Sequence, residues 1–268
     1  MPLEKILIVG FGTMAQAMVD GWMAAGIPAS RFAIYHPGRS DDPRGIAVHN
    51  VWPASGFDAV LLAVKPQKLA EISQDLEPLI GPQCTLVSVL AGAGLDSLAQ
   101  IFPRAGGIVR LMPNLACAIN KSANALVASG LQPEVRAEVT KMAQLLGSAE
   151  WLADEAQFDL VAALAGSGPA FVYRFIDALA AAATGLGLDQ TQAERLALIM
   201  VEGAAALAAS SDHSPAELAR RVASPGGMTQ KGLDVLDENQ ALQSLLLNCL
   251  AAARDRGAEM AADARKQG

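Results

Sequence analysis

The stretch Lys5-Ile6-Leu7-Ile8-Val9-Gly10-Phe11-Gly12-Thr13-Met14-Ala15 decides the fold prediction for this chain of 268 residues. Residues 5–9 form an apolar run of strand length, which is typical of a parallel strand covered on both faces. A Gly-x-Gly-x-x-Ala turn follows at once, and residues 13–25 have the pattern of a helix. A strand, a glycine turn and a helix in direct succession predict the first βα unit of a doubly wound sheet.

The glycine turn itself predicts a dinucleotide-binding site. Gly10 permits the tight turn, Gly12 lets a pyrophosphate approach the backbone, and Ala15 lets helix and strand pack closely. Thr13 and Met14 lie in the first helical turn, whose N–H groups face the phosphates. Gly-x-Gly is common, and the alternative is a simple strand–helix connection, but the flanking strand and helix favour the dinucleotide.

The first half of the chain continues this alternation, whereas the second half is helical. Further β-rich runs are separated by helical patterns at 32–35, 58–63, 84–89 and 107–111. We therefore predict an α/β fold, an N-terminal Rossmann-type doubly wound parallel sheet over residues 1–153 that binds the dinucleotide. From residue 154 to 268 there is no alternating β-branched run, and Ala-rich helical segments are predicted at 155–165, 169–186, 190–210, 215–222 and 229–265, the last of them with breaks allowed.

The helical half is predicted to be an all-α dimerisation and substrate domain. Its many apolar residues on many helices, with alanines that allow close approach, favour packing against another copy of the chain. An ordinary helical domain with a private core is the alternative.

The end of the second predicted strand indicates which dinucleotide binds. An NAD site would place Asp or Glu there to hold the ribose 2′-hydroxyl, whereas this chain has Tyr35-His36. Arg39 and Ser40 follow shortly and suit a 2′-phosphate, although Asp41-Asp42 lie next to them. NADPH is therefore the predicted cofactor, with NADH as the alternative.

Composition limits the remaining partners. The net charge is −7, which argues against nucleic acid or an anionic membrane as the main partner. No apolar run reaches the roughly 20 residues of a membrane span. Cys84, Cys117 and Cys249 are isolated, so we expect three buried, inert thiols in a reducing compartment and a cytoplasmic protein.

The chain has few residues suited to acid–base catalysis. Its three histidines are His36, His49 and His213, of which the first two lie in the dinucleotide half and the third in a polar loop. No cluster has the spacing of metal ligands. A hydroxy-acid dehydrogenase needs a general base, but an iminium ion is already electrophilic at carbon. The pattern therefore favours a substrate that carries its own proton.

Two glycine loops interrupt the predicted helices, Gly166-Ser167-Gly168-Pro169 and Ser224-Pro225-Gly226-Gly227-Met228-Thr229. Each places glycine and a hydroxyl just before a helix, where exposed N–H groups can bind a carboxylate. Simple helix–helix connections are the alternative. We predict that both loops contact the substrate.

An ordered set of motifs resembles the pyrroline-5-carboxylate reductase family over essentially the whole chain. The motifs are the turn at 10–15, Ala63-Val64-Lys65-Pro66-Gln67, Ser88-Val89-Leu90-Ala91-Gly92, Arg110-Leu111-Met112-Pro113-Asn114, Gly166-Ser167-Gly168-Pro169-Ala170-Phe171 and the loop 224–229. Each motif alone is weak evidence for the resemblance, but the ordered set is specific to this family.

The resemblance implies reduction of 1-pyrroline-5-carboxylate to L-proline by NAD(P)H, the last step of proline biosynthesis. It places Ala63 to Pro66 along the nicotinamide side of the cofactor and Ala91-Gly92 near the ring, and Asn114 counts among the cofactor residues. Ser224 and the amides of Met228 and Thr229 would hold the substrate carboxylate, with the Thr229 hydroxyl reaching the ring nitrogen as the catalytic group.

The resemblance further implies an intertwined homodimer whose active sites are built from two chains, with five dimers in a ring as a further assembly. Four places depart from the family pattern: Leu115-Ala116, Lys121-Ser122, Ala165 and Met228. They leave two alternatives open, a reductase of a six-membered cyclic imino acid and a non-catalytic dinucleotide-binding sensor.

Overall fold

The computed structural model describes residues 3–267, with side chains described for residues 3–260 and 262. The chain forms two compact units. The first holds the residues up to Ser167 and those from Ala252 onward, and the second holds Gly168–Ala251.

An eight-stranded sheet organises the first unit. Its strands are β1 Ile6–Val9, β2 Phe32–Tyr35, β3 Ala47–His49, β4 Ala59–Leu62, β5 Thr85–Ser88, β6 Gly107–Met112, β7 Ser122–Ser129 and β8 Gly147–Trp151. They lie in the order β3-β2-β1-β4-β5-β6-β7-β8. All neighbouring pairs are parallel except β6 and β7, which are antiparallel. The predicted doubly wound sheet is confirmed, with one antiparallel junction added.

The helices of the first unit are α1 Thr13–Ala24, α2 Leu69–Leu76, α3 Leu95–Ile101, α4 Pro133–Gln144 and α5 Phe158–Val161. A π-helical turn, Ala162–Gly166, follows α5. The remaining helices are α6 Gly168–Gly185, α7 Gln190–Ser210, α8 Pro215–Val222, α9 Met228–Asp237 and α10 Ala241–Gln267.

The core of the first unit lies on both faces of the sheet. Ile6 and Ile8 of β1 pack into one apolar cluster, and Leu7 and Val9 pack into the other. All four residues of this strand are buried. Successive side chains of a strand point to opposite faces, and both faces of this sheet are covered. Residues 5–9 therefore form a continuous apolar run in the sequence.

Three strands were not predicted. The sequences of β7 and β8 contain Ala, Ser, Asn and Gly in place of an apolar alternation, and β3 has only three residues. Asn124 of β7 is buried because its amide donates to the carbonyls of Ala143 and Ser148, at 2.9 and 2.6 Å. Tertiary hydrogen bonds thus place a polar residue inside the sheet.

The second unit has few buried side chains of its own. Its core consists of Ala180, Ala193 and Ala197, where α6 and α7 pack closely. Many large apolar side chains of these two helices remain exposed: Val172, Tyr173, Phe175, Leu196, Leu198, Ile199, Met200 and Leu207. The unit's own core is therefore small, and its exposed apolar surface favours association with another chain.

The first compact unit extends beyond the predicted domain boundary between residues 153 and 154. Phe158 is 1% exposed in the core of the first unit, and the Arg110 guanidinium lies 3.8 Å from its ring centre. Glu155 forms an ion pair with Arg110 at 2.6 Å. These contacts bind residues 155–158 to the sheet, although the helical pattern of the sequence begins there.

The long helical pattern predicted at 229–265 is broken between α9 and α10. Asn239 and Gln240 have φ of 53° and 57°, in the left-handed region, which ends one helix before the next begins. None of the helices in the described part of the chain combines the length and apolar character that a bilayer crossing requires.

Gly21 of α1 provides a stability test. A Cβ added there would lie 2.0 Å from the carbonyl oxygen of Cys117, since α1 packs directly on residues 115–119. We expect Gly21→Ala to lower the free energy of unfolding by about 3 kcal/mol or more, because overpacking outweighs the helix propensity gained. Urea denaturation followed by circular dichroism measures this. Gly81→Ala is the matched control, since an added Cβ meets no atom within 4 Å there, and an equal loss in both variants would contradict the packing argument.

The cysteines provide a second test. Burial raises the pKa of the Cys84 thiol to about 12 and that of Cys117 to about 11. Cys249 is only half-buried, so the prediction of a buried thiol is wrong there. The thiolate is the reactive form, so at about pH 8 an aromatic disulfide reagent should modify at most one thiol of the native chain and all three after denaturation. Rapid reaction of two or three native thiols would contradict this.

Candidate active site

The glycine turn joins the carboxyl ends of β1 and β4. Gly10 has φ of 86°, and a Cβ there would lie 2.8 Å from both the carbonyl oxygen of Ala63 and Cγ1 of Val64. The N–H of Gly10 donates to the carbonyl of Tyr35 at 3.3 Å. Only glycine satisfies both the dihedral angle and the close approach. The turn therefore brings residues 10, 63 and 64 together, as the sequence predicted.

The start of helix α1 has the features of a phosphate-binding site. Gly12 occupies the N-cap position and has open space around its Cα, with no atom within 4 Å of an added Cβ. Thr13 is exposed and Met14 half-buried, while Ala15 is 1% exposed and packs in the core. Glycine has no side chain to cap the helix, so the N–H groups of the first turn are available to an anion.

A cleft of about 370 Å³ lies beside this turn, at the carboxyl ends of β1, β2 and β4. Its lining includes Gly10, Tyr35, Trp52, Val64 and Lys68. The rings of Tyr35 and Trp52 stack with centres 3.6 Å apart, and burial together with the charge of Asp75 raises the pKa of Tyr35. An apolar, aromatic wall at this edge of a parallel sheet suits a nucleoside.

Arg39 lies near the glycine turn. Its guanidinium carbon is 5.2 Å from the centre of the Phe11 ring, and its Nη1 is 3.3 Å from Oδ2 of Asp42. Ser40 is exposed next to it. The predicted pair of a cation and a hydroxyl therefore lies on the same side of the sheet as the dinucleotide turn.

The loops after β4 and β5 hold the remaining predicted cofactor residues. Lys65 is exposed and Pro66 begins a 3₁₀ turn. Ala91 is exposed, and Gly92 has φ of 81°. Gly92 also lines a second cleft, of about 670 Å³, at the carboxyl ends of β5 and β6.

Asn114 has its side chain hydrogen-bonded to the protein. Its Nδ2 donates to the carbonyl of Ala165 at 2.9 Å, and its Oδ1 accepts from the N–H of Ala116 at 3.0 Å. The residue is 7% exposed. Asn114 thus ties the end of β6 to the π-helical turn that ends at Gly166, and its predicted place among the cofactor residues stays a prediction.

The first substrate loop continues this π-helical turn. An added Cβ at Gly166 would lie 3.4 Å from the sulfur of Met112, and the N–H of Ser167 donates to the carbonyl of Ala162 at 3.0 Å. Helix α6 begins at Gly168, with Pro169 in its first turn. π-Helical turns inside helices are frequent at functional sites.

The second loop forms a tight turn within the second unit. The N–H of Gly227 donates to the carbonyl of Ser224 at 2.9 Å, and Gly226 has φ of 71°. Proline at the second position and a positive-φ glycine at the third are characteristic of a type II turn. The positive φ favours glycine at position 226, whereas an added Cβ at Gly227 would meet Oγ of Ser224 at 2.6 Å, a contact that rotation of the serine side chain can relieve.

Helix α9 begins directly after this turn, with Gly227 as its N-cap. Thr229 is exposed in the first turn, and the Met228 side chain is 94% exposed. The bulky side chain at the position that departs from the family pattern therefore points away from the turn. The N–H groups at this helix start are open to a carboxylate.

Sequence reasoning missed several groups around these loops. Phe11 was treated as a spacer of the glycine turn, and Arg44 was not considered, because nothing in its local sequence connects it to residue 11. Trp52 lies in a loop between two short strands and carries no motif. A cation–π contact holds Arg44 against Phe11 on one face of the sheet, and stacking holds Trp52 against Tyr35 on the other face.

The residues of the first unit fit a phosphorylated dinucleotide. The open space at Gly12, the open first turn of α1 and a nearby arginine are complementary to a pyrophosphate and a further phosphate. The turn of the second unit is complementary to a small carboxylate.

Comparisons with known proteins agree with this assignment. Residues 155–260 match a family model described as pyrroline-5-carboxylate reductase dimerisation, and residues 5–92 match one described as NADP oxidoreductase, coenzyme F420-dependent. A solved structure of a pyrroline-5-carboxylate reductase from Coxiella burnetii has a TM-score of 0.89 and 29% identity, covering 96% of this chain and 98% of that one.

Two curated relatives extend the similarity over nearly the whole length. A pyrroline-5-carboxylate reductase of Pseudomonas aeruginosa is 34% identical, covering 97% of this chain and 98% of the relative. Pyrroline-5-carboxylate reductase 2 of Bacillus subtilis is also 34% identical, covering 96% and 95%. With similarity of this extent over both halves of the sequence, the chain belongs to the pyrroline-5-carboxylate reductase family.

Proposed function

We propose that this chain reduces 1-pyrroline-5-carboxylate to L-proline with NAD(P)H, the last step of proline biosynthesis. The observation that carries the proposal is similarity to pyrroline-5-carboxylate reductases over 97% of the chain, with a glycine turn directly before a helix in each compact unit. A spectrophotometric assay of NADPH and NADH oxidation with pyrroline-5-carboxylate tests it. Turnover of the six-membered imino acid at a higher rate, or no oxidation with either imine, would refute it.

In the proposed reaction, the chain acts mainly by holding two reactants in line. The dinucleotide, when bound, would supply a hydride to the carbon of the protonated imine, and the C=N π electrons pass to the nitrogen, which keeps its proton and becomes a neutral secondary amine. Gly10, Gly12 and the start of α1 hold the pyrophosphate, while residues 63–66 and 91–92 lie along the nicotinamide end. Fixing donor and acceptor in one geometry contributes much of the rate in such reactions.

The substrate is proposed to bind at the turn that opens α9. Ser224 and the N–H groups of Met228 and Thr229 hold the carboxylate, and Gly226 and Gly227 allow it to approach the backbone. The Thr229 hydroxyl bonds the ring nitrogen as its charge changes. The loop Gly166-Ser167-Gly168-Pro169 is proposed to complete the substrate pocket.

We further propose that the chain works as an intertwined homodimer in the cytoplasm. The exposed apolar side chains of α6 and α7 and the match to a dimerisation model support self-association. In this proposal residues 1–153 bind the dinucleotide, residues 154–268 supply dimer contacts and substrate groups, and each active site takes residues from two chains. Five such dimers in a ring are the proposed larger assembly, with no nucleic acid or membrane partner.

Thr229→Ala tests the proposed catalytic hydroxyl. One hydrogen bond to a charged group contributes about 1.5–3 kcal/mol, so we expect kcat to fall by about 10- to 100-fold while the dissociation constant for NADPH is unchanged. Thr229→Ser keeps the hydroxyl and is the matched control. Unaltered steady-state kinetics in the alanine variant would remove Thr229 from the mechanism.

Arg39→Ala tests cofactor preference. If the guanidinium binds the 2′-phosphate, its removal should raise the KM for NADPH by about 10-fold or more and leave that for NADH nearly unchanged. Arg104→Ala is the control, because Arg104 pairs with Glu77 at 2.7 Å and precedes β6, at the opposite edge of the sheet. Equal increases in KM for NADPH and NADH would show that Arg39 does not bind the 2′-phosphate.

A further inference from the structure

A second arginine accompanies Arg39 beside the glycine turn. The guanidinium carbon of Arg44 lies 5.6 Å from the centre of the Phe11 ring, compared with 5.2 Å for Arg39. Phe11 is the residue between the two glycines of the turn and is 4% exposed. Both cations are therefore held against the loop that approaches the dinucleotide, on one aromatic ring.

A buried carboxylate connects these two arginines. The side chain of Asp42 is 0% exposed and accepts hydrogen bonds from Nη1 of Arg39 at 3.3 Å and from Nη1 of Arg44 at 3.0 Å. It also accepts from the backbone N–H of Arg44 at 3.0 Å. A buried charge is retained where partners satisfy it, and here three donors do so.

Arg44 is fixed from a second side by α1. Its Nε donates to Asp20 at 2.6 Å, and this hydrogen bond is the main cause that raises the pKa of Arg44 above its usual value. The side chains of Arg39 and Arg44 nevertheless remain 29% and 21% exposed. Each is held in one orientation while its side chain remains partly accessible to solvent.

We propose that Arg44 binds the 2′-phosphate of the cofactor together with Arg39, and that Asp42 is a positioning residue for both guanidinium groups. This inference rests on the proposed use of a phosphorylated dinucleotide. An Asp in this loop could otherwise accept the ribose 2′-hydroxyl of NADH. Asp42 is turned inward and occupied by the arginines, so it favours the phosphate indirectly by keeping two repelling cations side by side.

The test measures ligand binding in the absence of imine. Adenosine 2′,5′-bisphosphate and adenosine 5′-phosphate differ only in the 2′-phosphate, and isothermal titration calorimetry on the full chain gives both dissociation constants. We expect Arg44→Gln to weaken the bisphosphate by about 10-fold and to leave the monophosphate unchanged. Arg104→Gln, which breaks the ion pair with Glu77 at the other edge of the sheet, should change neither.

Further variants test whether Asp42 positions the two arginines or only balances their charge. Asp42→Asn should also weaken the bisphosphate if the carboxylate positions the arginines, whereas tighter binding would mean that it competes with the phosphate and would overturn its assigned role. Arg44→Lys keeps the charge but loses the planar fork, so binding between wild type and Arg44→Gln is expected. Arg44→Lys still tests the contact of Arg44 with the 2′-phosphate if the Asp42→Asn variant does not fold.

The outcomes distinguish this inference from the proposed reaction. If Arg44→Gln binds the bisphosphate as tightly as wild type, the inference is refuted whatever the chain does with pyrroline-5-carboxylate. If the chain fails to reduce any imine but loses bisphosphate affinity in Arg44→Gln, the reaction is refuted and the phosphate site stands.

Discussion

The close approach of two strand ends at Gly10 is the constraint on which the dinucleotide half depends. Because a Cβ there would lie 2.8 Å from the backbone of Ala63, no other residue lets β1 and β4 end side by side. Their adjacency places the loop after β4 and the start of α1 around one point. The cleft beside Tyr35 lies next to this contact, at the carboxyl edge where parallel sheets bind ligands.

Buried ionic groups organise the loops around this edge. Asp42 joins Arg39 to Arg44, and Glu155 joins Arg110 of β6 to the start of α3 through the N–H of Leu95 at 2.8 Å. In each case one carboxylate accepts hydrogen bonds from two different residues. Such groups stabilise a fold only when their hydrogen bonds are satisfied. Here the carboxylates orient the side chains and backbone groups that donate to them.

The second unit presents the opposite situation, because alanines replace large core residues. Alanine contributes little buried area, so close packing of α6 on α7 leaves larger side chains such as Tyr173 and Leu207 uncovered. An isolated unit of this kind exposes more apolar surface than stable monomers do. In the proposed homodimer the partner chain would cover these side chains and lie near the turn at 224–229.

The sequence by itself determined the features that depend on local chemistry. The glycine turn, the apolar strands and the helix start after the glycine loop 224–229 were all predicted from the sequence, since backbone angles and helix starts are set by neighbouring residues. Strands β7 and β8, the attachment of Phe158 to the sheet and the pairing of Arg44 with Asp42 near Phe11 were decided by the tertiary structure. They depend on contacts between distant segments or on side-chain direction, which no short-range pattern encodes.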